Sequence, residues 1–305
     1  MTGMVEVPAP AALLPRPVLE RSVAADAAAA DADAAATRAK VTVREPTGPE
    51  ELDATCDLFA RIWREPPGDR SMTPRALRAL SHAGNYVSLA LCEDKIIGAC
   101  TGFFGLADEW KLHSHIAGVD ASAQGRNVGF ALKTHQRAWV LLRGLDRVSW
   151  TYDPLVRRNA YFNLCKLAVS AQSYIVDFYG PMADGINAGD ESDRVVVEWH
   201  LDDANASLAC AGHPREVEVE SLRRAGASVA LSADATGRPA VGPRHTSTVL
   251  VGVPEDIERL RLENPAAARD WRFALRDVLG GLVEDGAQVT GFNREGWYVV
   301  QRGQA

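Results

Sequence analysis

The sequence predicts an α/β protein, with a mixed, predominantly antiparallel sheet flanked by helices and an α+β C-terminal extension. Three observations carry that expectation. Short β-rich runs alternate with stretches whose apolar residues recur at helical spacing. Two β-rich runs flank Glu93, Asp94 and Lys95 as in an antiparallel hairpin. The elements then follow one another as strand, helix, helix, hairpin, strand, helix, strand, helix and two strands, an order that places helices on the faces of a mixed sheet.

The elements are read in order from the N-terminus. Residues 1–40 are rich in Ala, Pro and Asp and hold no aromatic residue, so a disordered tail is expected there: such a segment buries too little to offset its ordering entropy. VTVREP (41–46) is a short strand signal. In PEELDATCDLFARIW (49–63) Leu52, Cys56, Phe59 and Ile62 recur at helical spacing. TPRALRALSHAG (73–84) predicts a second helix, with Thr73 as N-cap, Pro74 in the first helical position and Gly84 as a stop. NYVSLALCEDKIIGACTGFFG supplies the hairpin. KLHSHIAGV (111–119) reads as a strand, and a helix follows over 128–143, with Val128, Leu132, Trp139 and Leu142 on one face and Gly144 ending it. DRVSWTYDP (146–154) is a strand stopped by Pro154, and RRNAYFNLCKLAV a short helix. SYIVDFYG and RVVVEWHL are strands joined by a long connection over 181–193. DANASLACAGHPRE after Asp202 reads as a linker or exposed loop. Beyond it come strands near 216–221, 226–232 and 246–253, a helical stretch over 256–286, and a strand pair near 287–301. The expected organisation is a tail over 1–40, a first domain over 41–202 and an extension over 203–305 packing on it.

Composition excludes several function classes. The formal net charge of −7 argues against broad nucleic-acid affinity, which needs clustered Lys and Arg. No apolar run reaches the roughly 20 residues needed to cross a bilayer, and neither export nor a membrane partner is indicated. Five cysteines without C-x-x-C spacing suggest neither a disulfide framework nor a zinc site. A cytoplasmic location is expected.

One stretch carries chemistry. In GVDASAQGRNVGFALK a strand gives way to a polar turn and then to a helix start at Gln124-Gly125-Arg126-Asn127-Val128-Gly129. A helix N-terminus presents unpaired N–H groups and a partial positive charge, and glycines let an anion approach the backbone. Arg126 adds charge.

This segment resembles motif A of the GCN5-related N-acetyltransferases, Q/R-x-x-G-x-G/A. Gln124 and Gly129 match; Asn127 stands where the middle glycine is usual, and Asn tolerates a left-handed backbone better than most residues. The hairpin is similar to the family's second and third strands, and RNAYFNLCKLA to the helix that closes on a Lys-Leu-Gly signature. LHSHIAGV, WTYDPLVRRNAYFNLCKL and DGINAGDESDRVVVEW suggest a less characterised bacterial branch of it. The resemblance covers 41–202 well and the rest more weakly.

It implies the family's fold and an acyl-CoA cosubstrate, most simply acetyl-CoA, with no metal. The pantetheine arm would lie beside Ala117, Gly118 and Val119. The pyrophosphate would meet the amides of Gln124, Gly125, Arg126, Asn127, Val128 and Gly129, with Phe130 continuing the helix. Asn159, Phe162 and Lys166 would flank the pantetheine and thiol, with ordinary core packing as the alternative for Phe162.

The implied reaction is direct acyl transfer to the amine of a small molecule. It needs a neutral amine, a polarised thioester carbonyl and a proton for the departing thiolate; a backbone N–H near Ala117 or Gly118 would polarise the carbonyl. His113 and His115, on one face of a strand by alternation, are candidate bases, against a role as packed histidines; with no third ligand at useful spacing, H-x-H does not predict a metal. Asp108 and Glu109 read as loop charges near the same cleft. Asp153 is a candidate for holding an ammonium group or acting as base, or else a turn cap, and Arg158 for holding a substrate carboxylate. The tyrosine acid usual in the family would fall at Leu164, and Ala168 stands for its glycine; Tyr161, one turn earlier, is the candidate replacement. Asn187, Asp193 and Arg194 in the long connection are expected over the substrate cleft, with Asp193 and Arg194 alternatively pinning the loop. The missing tyrosine keeps an acyl-CoA decarboxylase or hydrolase open, and Asn127 a noncatalytic CoA-binding module. The acceptor, the acyl length and the oligomeric state, a homodimer included, are left open.

Overall fold

The computed structural model describes residues 22–66, 68, 70–105, 110–180, 182, 184–187 and 189–303. The chain builds two sheets. The first has seven strands in the order β1-β2-β3-β4-β5-β7-β6: β1 (Thr42–Arg44), β2 (Tyr86–Cys92), β3 (Lys95–Phe104), β4 (Leu112–Val119), β5 (Arg147–Tyr152), β6 (Ser170–Ile175) and β7 (Arg194–His200). All its neighbours pair antiparallel except β4 and β5. The second sheet has five strands in the order β11-β12-β10-β8-β9: β8 (Ser228–Ala233), β9 (Pro239–Val241), β10 (Thr248–Gly252), β11 (Gln288–Phe292) and β12 (Trp297–Gln301).

Helices cover both faces of the first sheet. The amphipathic stripe read from the sequence folds as α2 (Pro49–Trp63), and α3 (Pro74–His82) starts on Thr73, whose hydroxyl accepts from the Ala76 amide at 3.2 Å. Leu52, Cys56, Phe59 and Leu77 from these helices pack with Val87, Leu89, Leu91 and Ala99 of the sheet. The opposite face takes α4 (Val128–Leu141).

Part of the expected N-terminal tail is corrected. Residues 1–21 lie outside the described residues, but Val23–Ala39 is a helix, α1, capped by Ser22. Ala25, Ala28, Ala32, Ala35 and Ala39 are buried. Their spacing of three and four is an apolar face, hidden in the sequence because alanine also fills the other positions. Small side chains let α1 lie close on α4, and Asp31 reaches the buried Arg137 of α4 at 3.0 Å. With the sheet on one side and α1 on the other, α4 is buried almost all round.

Two further expectations are corrected. The supposed linker after Asp202 contains α6 (Ala204–Cys210), started by Asp203 and burying Ala206, Ala209 and Cys210. The supposed strand near 216–221 gives way to α7 (Val219–Arg224), because Val219 packs with Leu222 against Leu250 and Val299. The helical stretch near the C-terminus resolves into α8 (Ile257–Glu263), α9 (Pro265–Leu275), a π-helical turn over Arg276–Gly280 and α10 (Gly281–Glu284).

The second sheet and its helices close onto the end of the first. Tyr298 of β12 donates to the Pro154 carbonyl at 2.8 Å and lies 3.4 Å from the Tyr152 hydroxyl. Between the two runs α5 (Arg157–Tyr161), continued by a π-helical turn over Phe162–Lys166. Ala168, just beyond that turn, takes φ 53°, where an L side chain costs about 1–2 kcal/mol. Ala168→Gly is therefore expected to raise stability by about 1 kcal/mol, read as a higher midpoint in urea denaturation.

Candidate functional site

The site begins where the sheet stops pairing. β4 pairs with β3 along its whole length, from Phe104↔Leu112 to Gly98↔Val119. With β5 it pairs, in parallel, only at Leu112↔Val148 and His113↔Ser149. β5 then continues against β7, with Trp150 opposite Val197 and Tyr152 opposite Val195. Among the described residues, therefore, no strand pairs with the β5 side of β4 from Ser114 to Val119. The result is a wedge-shaped opening with free backbone groups along one wall, the kind of edge that an extended amide-containing chain can satisfy. Ala117, Gly118 and Val119 lie on that wall; Ala117 is exposed, and Gly118 leaves room for Trp63 and Ile62 of α2.

The candidate anion loop follows directly. Asp120 caps a 3-10 turn over Ala121–Ala123. Gly125 (φ 78°) and Asn127 (φ 61°) are left-handed, and Val128 opens α4. The conformation explains the residue at 127: asparagine adopts it where most side chains resist. The first i to i−4 bond runs from the Ala131 amide to the Asn127 carbonyl at 3.1 Å. Val128, Gly129 and Phe130 therefore have no helical carbonyl to which their N–H groups can donate. A side chain at Gly125 would meet only open space. The Asn127 amide oxygen accepts from Lys166 Nζ at 2.7 Å, which brings a cation to the loop; burial lowers the pKa of Lys166, with the Arg294 charge adding to it. Arg126 is directed toward Cys92, with 3.6 Å between Nη2 and Sγ. Gln124 is exposed at the mouth of the loop. Asn159 and Phe162 are half-buried on α5 and its π-helical continuation, and Phe162 packs on the main core.

The two histidines share a face. β4 pairs Ser114 with Gly102 and Ile116 with Thr101, so His115 is the extra residue of a bulge. Both rings contact Phe103, at 5.2 and 5.6 Å, and lie 6.3 Å from each other. Burial pushes the His113 pKa down to about 4, helped by the His115 and Lys133 charges, and lowers that of His115. Both rings are therefore neutral near pH 7, with a nitrogen lone pair available to take a proton.

The other catalytic candidates lie elsewhere. Asp153 is the turn cap of the two roles expected, with Oδ1 accepting from the Leu155 amide, and its role as base or ammonium holder is corrected: the carboxylate is buried and held by Arg261 at 2.6 Å and by Arg272 at 2.8 Å. A carboxylate so engaged neither takes a proton nor reaches an amine. Tyr161 donates to Glu216 at 3.2 Å and, with Arg158, lines a concavity of about 890 Å³ between α5 and the β10–α8 connection. Arg158 forms a two-bond pair with Glu258, at 2.6 and 2.7 Å. Leu164 is core, and Asp108 and Glu109 lie outside the described residues.

The long connection is tied down from both sides. The Gly185 amide donates to the Trp63 carbonyl at the end of α2. Asp190 meets Arg272 and Arg261 at 3.0 Å, and Asp193 accepts from Tyr174 at 2.7 Å and pairs with Arg276. Asn187 bonds within the connection, to Asp184 at 2.7 Å, and Arg194 lies over the Tyr179 ring. Asp193 and Arg194 thus anchor the connection.

Sequence reading missed a second cluster at the vertex of the opening. Lys133 of α4, 4% exposed, donates to Ser114 Oγ and to Gln136 Oε1, each at 2.9 Å, and its Nζ stands 3.6 Å from the centre of the Trp150 ring. The signal was a lysine three residues after Phe130 and four before Arg137, inside a helix otherwise suited to burial. It was unreadable without knowing that α1 covers the outer side of α4.

No protein-family model matches the chain, and no curated protein matches it. Solved structures do resemble it over about half its length. Arabidopsis thaliana Naa50 in complex with the bisubstrate analogue CoA-Ac-MVNAL is 14% identical, over 52% of this chain and 97% of that one, at a TM-score of 0.42. An N-acetyltransferase from Staphylococcus aureus is 16% identical over 53% and 98%, at 0.43. An aminoglycoside 6'-acetyltransferase type Ii is 14% identical over 52% and 97%, at 0.40. At these values the likeness assigns no activity.

Proposed function

We propose that the chain is an acyl-CoA-dependent N-acyltransferase that moves an acyl group, most simply acetyl, from CoA directly to the amine of a small molecule. One observation carries the reading: the opening between β4 and β5 runs straight into the left-handed loop at the start of α4. A single extended ligand with an anionic end and an amide-bearing arm matches both features, and the motif at 124–129 resembles the pyrophosphate loop of such enzymes. Beyond His113 the β5 side of β4 is unpaired, so a backbone N–H near Ala117 or Gly118 can face a thioester carbonyl.

In this reading His115 takes the proton of the attacking amine, and His113 is the alternative base. The test is CoA release in the presence and absence of a panel of primary amines. Acyl transfer requires the amine for release; release without it indicates a hydrolase, loss of CO2 from a carboxyacyl-CoA with the thioester intact a decarboxylase, and binding without turnover a noncatalytic module. His115→Ala is expected to lower turnover about 100-fold, within the range of general base catalysis, with acetyl-CoA affinity nearly unchanged. Unchanged turnover would remove His115 from the role. Since the neutral ring is the active form and its pKa is lowered, wild-type activity should persist below pH 6.5 and fall only under more acidic conditions.

A further inference from the structure

The departing thiolate needs a proton, and the tyrosine that the resemblance leads one to expect is replaced by the buried Leu164. Ser114 and Trp150 are the first residues of β4 and β5 beyond their last parallel pair, so they flank the vertex of the opening. Lys133 reaches that vertex from α4 and touches both. Among the described residues no carboxylate pairs with it. An enclosed ammonium without a counter-ion is costly, and it creates a strong positive potential for any anion formed beside it.

The hydrogen-bond accounting points the same way. Lys133 Nζ gives two protons to Ser114 Oγ and Gln136 Oε1 and places the ammonium over the Trp150 face. Ser114 Oγ therefore accepts from Lys133, and its own proton must point elsewhere. The neighbour available to it is the Cys100 sulfur at 3.7 Å, a weak partner that is already approached by Gln136 Nε2 at 3.5 Å. The hydroxyl is a donor whose present partner is poor.

Position fits as well. From Val119, beside the anion loop, back to Ser114 is five residue steps, roughly 16 Å along a strand. An arm anchored at the loop and laid along β4 brings its far end, the sulfur, to the vertex.

We propose that Ser114 is the proton donor to the CoA sulfur and that Lys133 is the positioning residue that orients Ser114 and stabilises the thiolate. The proposal rests on the acyl-CoA reading above. As the carbon–sulfur bond breaks, its electron pair passes to sulfur and a thiolate forms beside the Lys133 ammonium; Ser114 Oγ–H then gives its proton to sulfur while Lys133 Nζ replaces the proton on Oγ, a transfer that runs both ways while CoA stays bound. The proton lost by the amine goes to the base, and solvent restores both groups after CoA leaves. Burial lowers the Lys133 pKa to about 8, although the nearby Cys100 acts in the opposite direction. Proton transfer from it is therefore closely balanced near neutral pH.

The test needs no acceptor. CoA and desulfo-CoA are titrated into the full chain by calorimetry at pH 7.5, and the ultraviolet absorbance of bound CoA is followed for thiolate. The wild type should bind CoA about tenfold more tightly than desulfo-CoA, or about 1.4 kcal/mol, and show thiolate absorbance. Lys133→Met should reduce the ratio to within about twofold and abolish that absorbance, with desulfo-CoA affinity unchanged. Lys133→Met removes an unpaired buried charge and keeps the stem volume, so folding should survive; Ser114→Ala, a smaller change, should also reduce the ratio. Equal binding of CoA and desulfo-CoA by the wild type, or thiolate absorbance that persists in Lys133→Met, would overturn the proposal while leaving the CoA reading intact. If neither compound binds the wild type, both fall.

Discussion

Gly125→Glu is expected to weaken acetyl-CoA binding by at least about 100-fold, or about 2.7 kcal/mol, while the protein remains folded. The substitution puts a carboxylate into the loop whose amides and nearby Lys166 would hold the pyrophosphate. Gly125 adopts φ 78° and an added Cβ meets open space, so the fold bears only the left-handed backbone cost, about 1–2 kcal/mol. Gly125→Ala carries that cost without the charge and should retain binding to within about tenfold. Calorimetry on the three proteins separates the effects. Retained binding in Gly125→Glu would place the pyrophosphate elsewhere, and equal loss in Gly125→Ala would indicate a conformational rather than an electrostatic cause.

The largest expected change in stability lies at the junction of the two sheets. Arg272 is fully buried and meets both Asp153 and Asp190, and Arg261 meets the same two carboxylates. Arg272→Met leaves those buried carboxylates with one guanidinium, an imbalance that costs about 3–5 kcal/mol and should lower Tm by about 10 °C or more in a chain of this size. The same network sets a pH dependence. Burial pushes the Asp153 pKa up, but Arg272 and Arg261 outweigh it and hold the carboxyl well below its ordinary range. Burial also opposes ionisation of Asp193, where Arg276 and Tyr174 prevail. Depressed carboxylates contribute stability that is fully present above the unfolded value near 4 and is lost as pH falls toward the folded values. Wild-type stability in urea should therefore decline below about pH 4, and Arg272→Met should show a shallower decline. An equally steep slope in both proteins would mean that this network does not govern the acid response.

Much of the first sheet was legible because its signals are local. The hairpin around Glu93, the helix from Pro49, the Thr73 cap and the strand-to-helix switch at 119–128 each follow from a few adjacent residues. The loop at the start of α4 was legible for the same reason, down to Asn127, whose left-handed backbone explains its residue type. Tertiary burial was harder to read. Whether an alanine-rich segment at 23–39 folds depends on the partner waiting in α4, and whether Lys133 and Arg137 are core residues depends in turn on α1. The turn cap was legible at Asp153, but its burial was not, because Arg261 and Arg272, more than 100 positions away in sequence, carry no mark of the partner they meet. The splay of β4 from β5 is likewise a property of pairing rather than composition.

The central claim, that one ligand spans the β4–β5 opening and ends on the α4 loop, is tested most directly by a crystal structure of the chain with acetyl-CoA. The expected result is a pyrophosphate with oxygens about 3 Å from the amide nitrogens of Val128, Gly129 and Phe130, and a pantetheine arm bonded to β4 between Ser114 and Val119. Acetyl-CoA bound elsewhere, with this opening empty, would contradict the account.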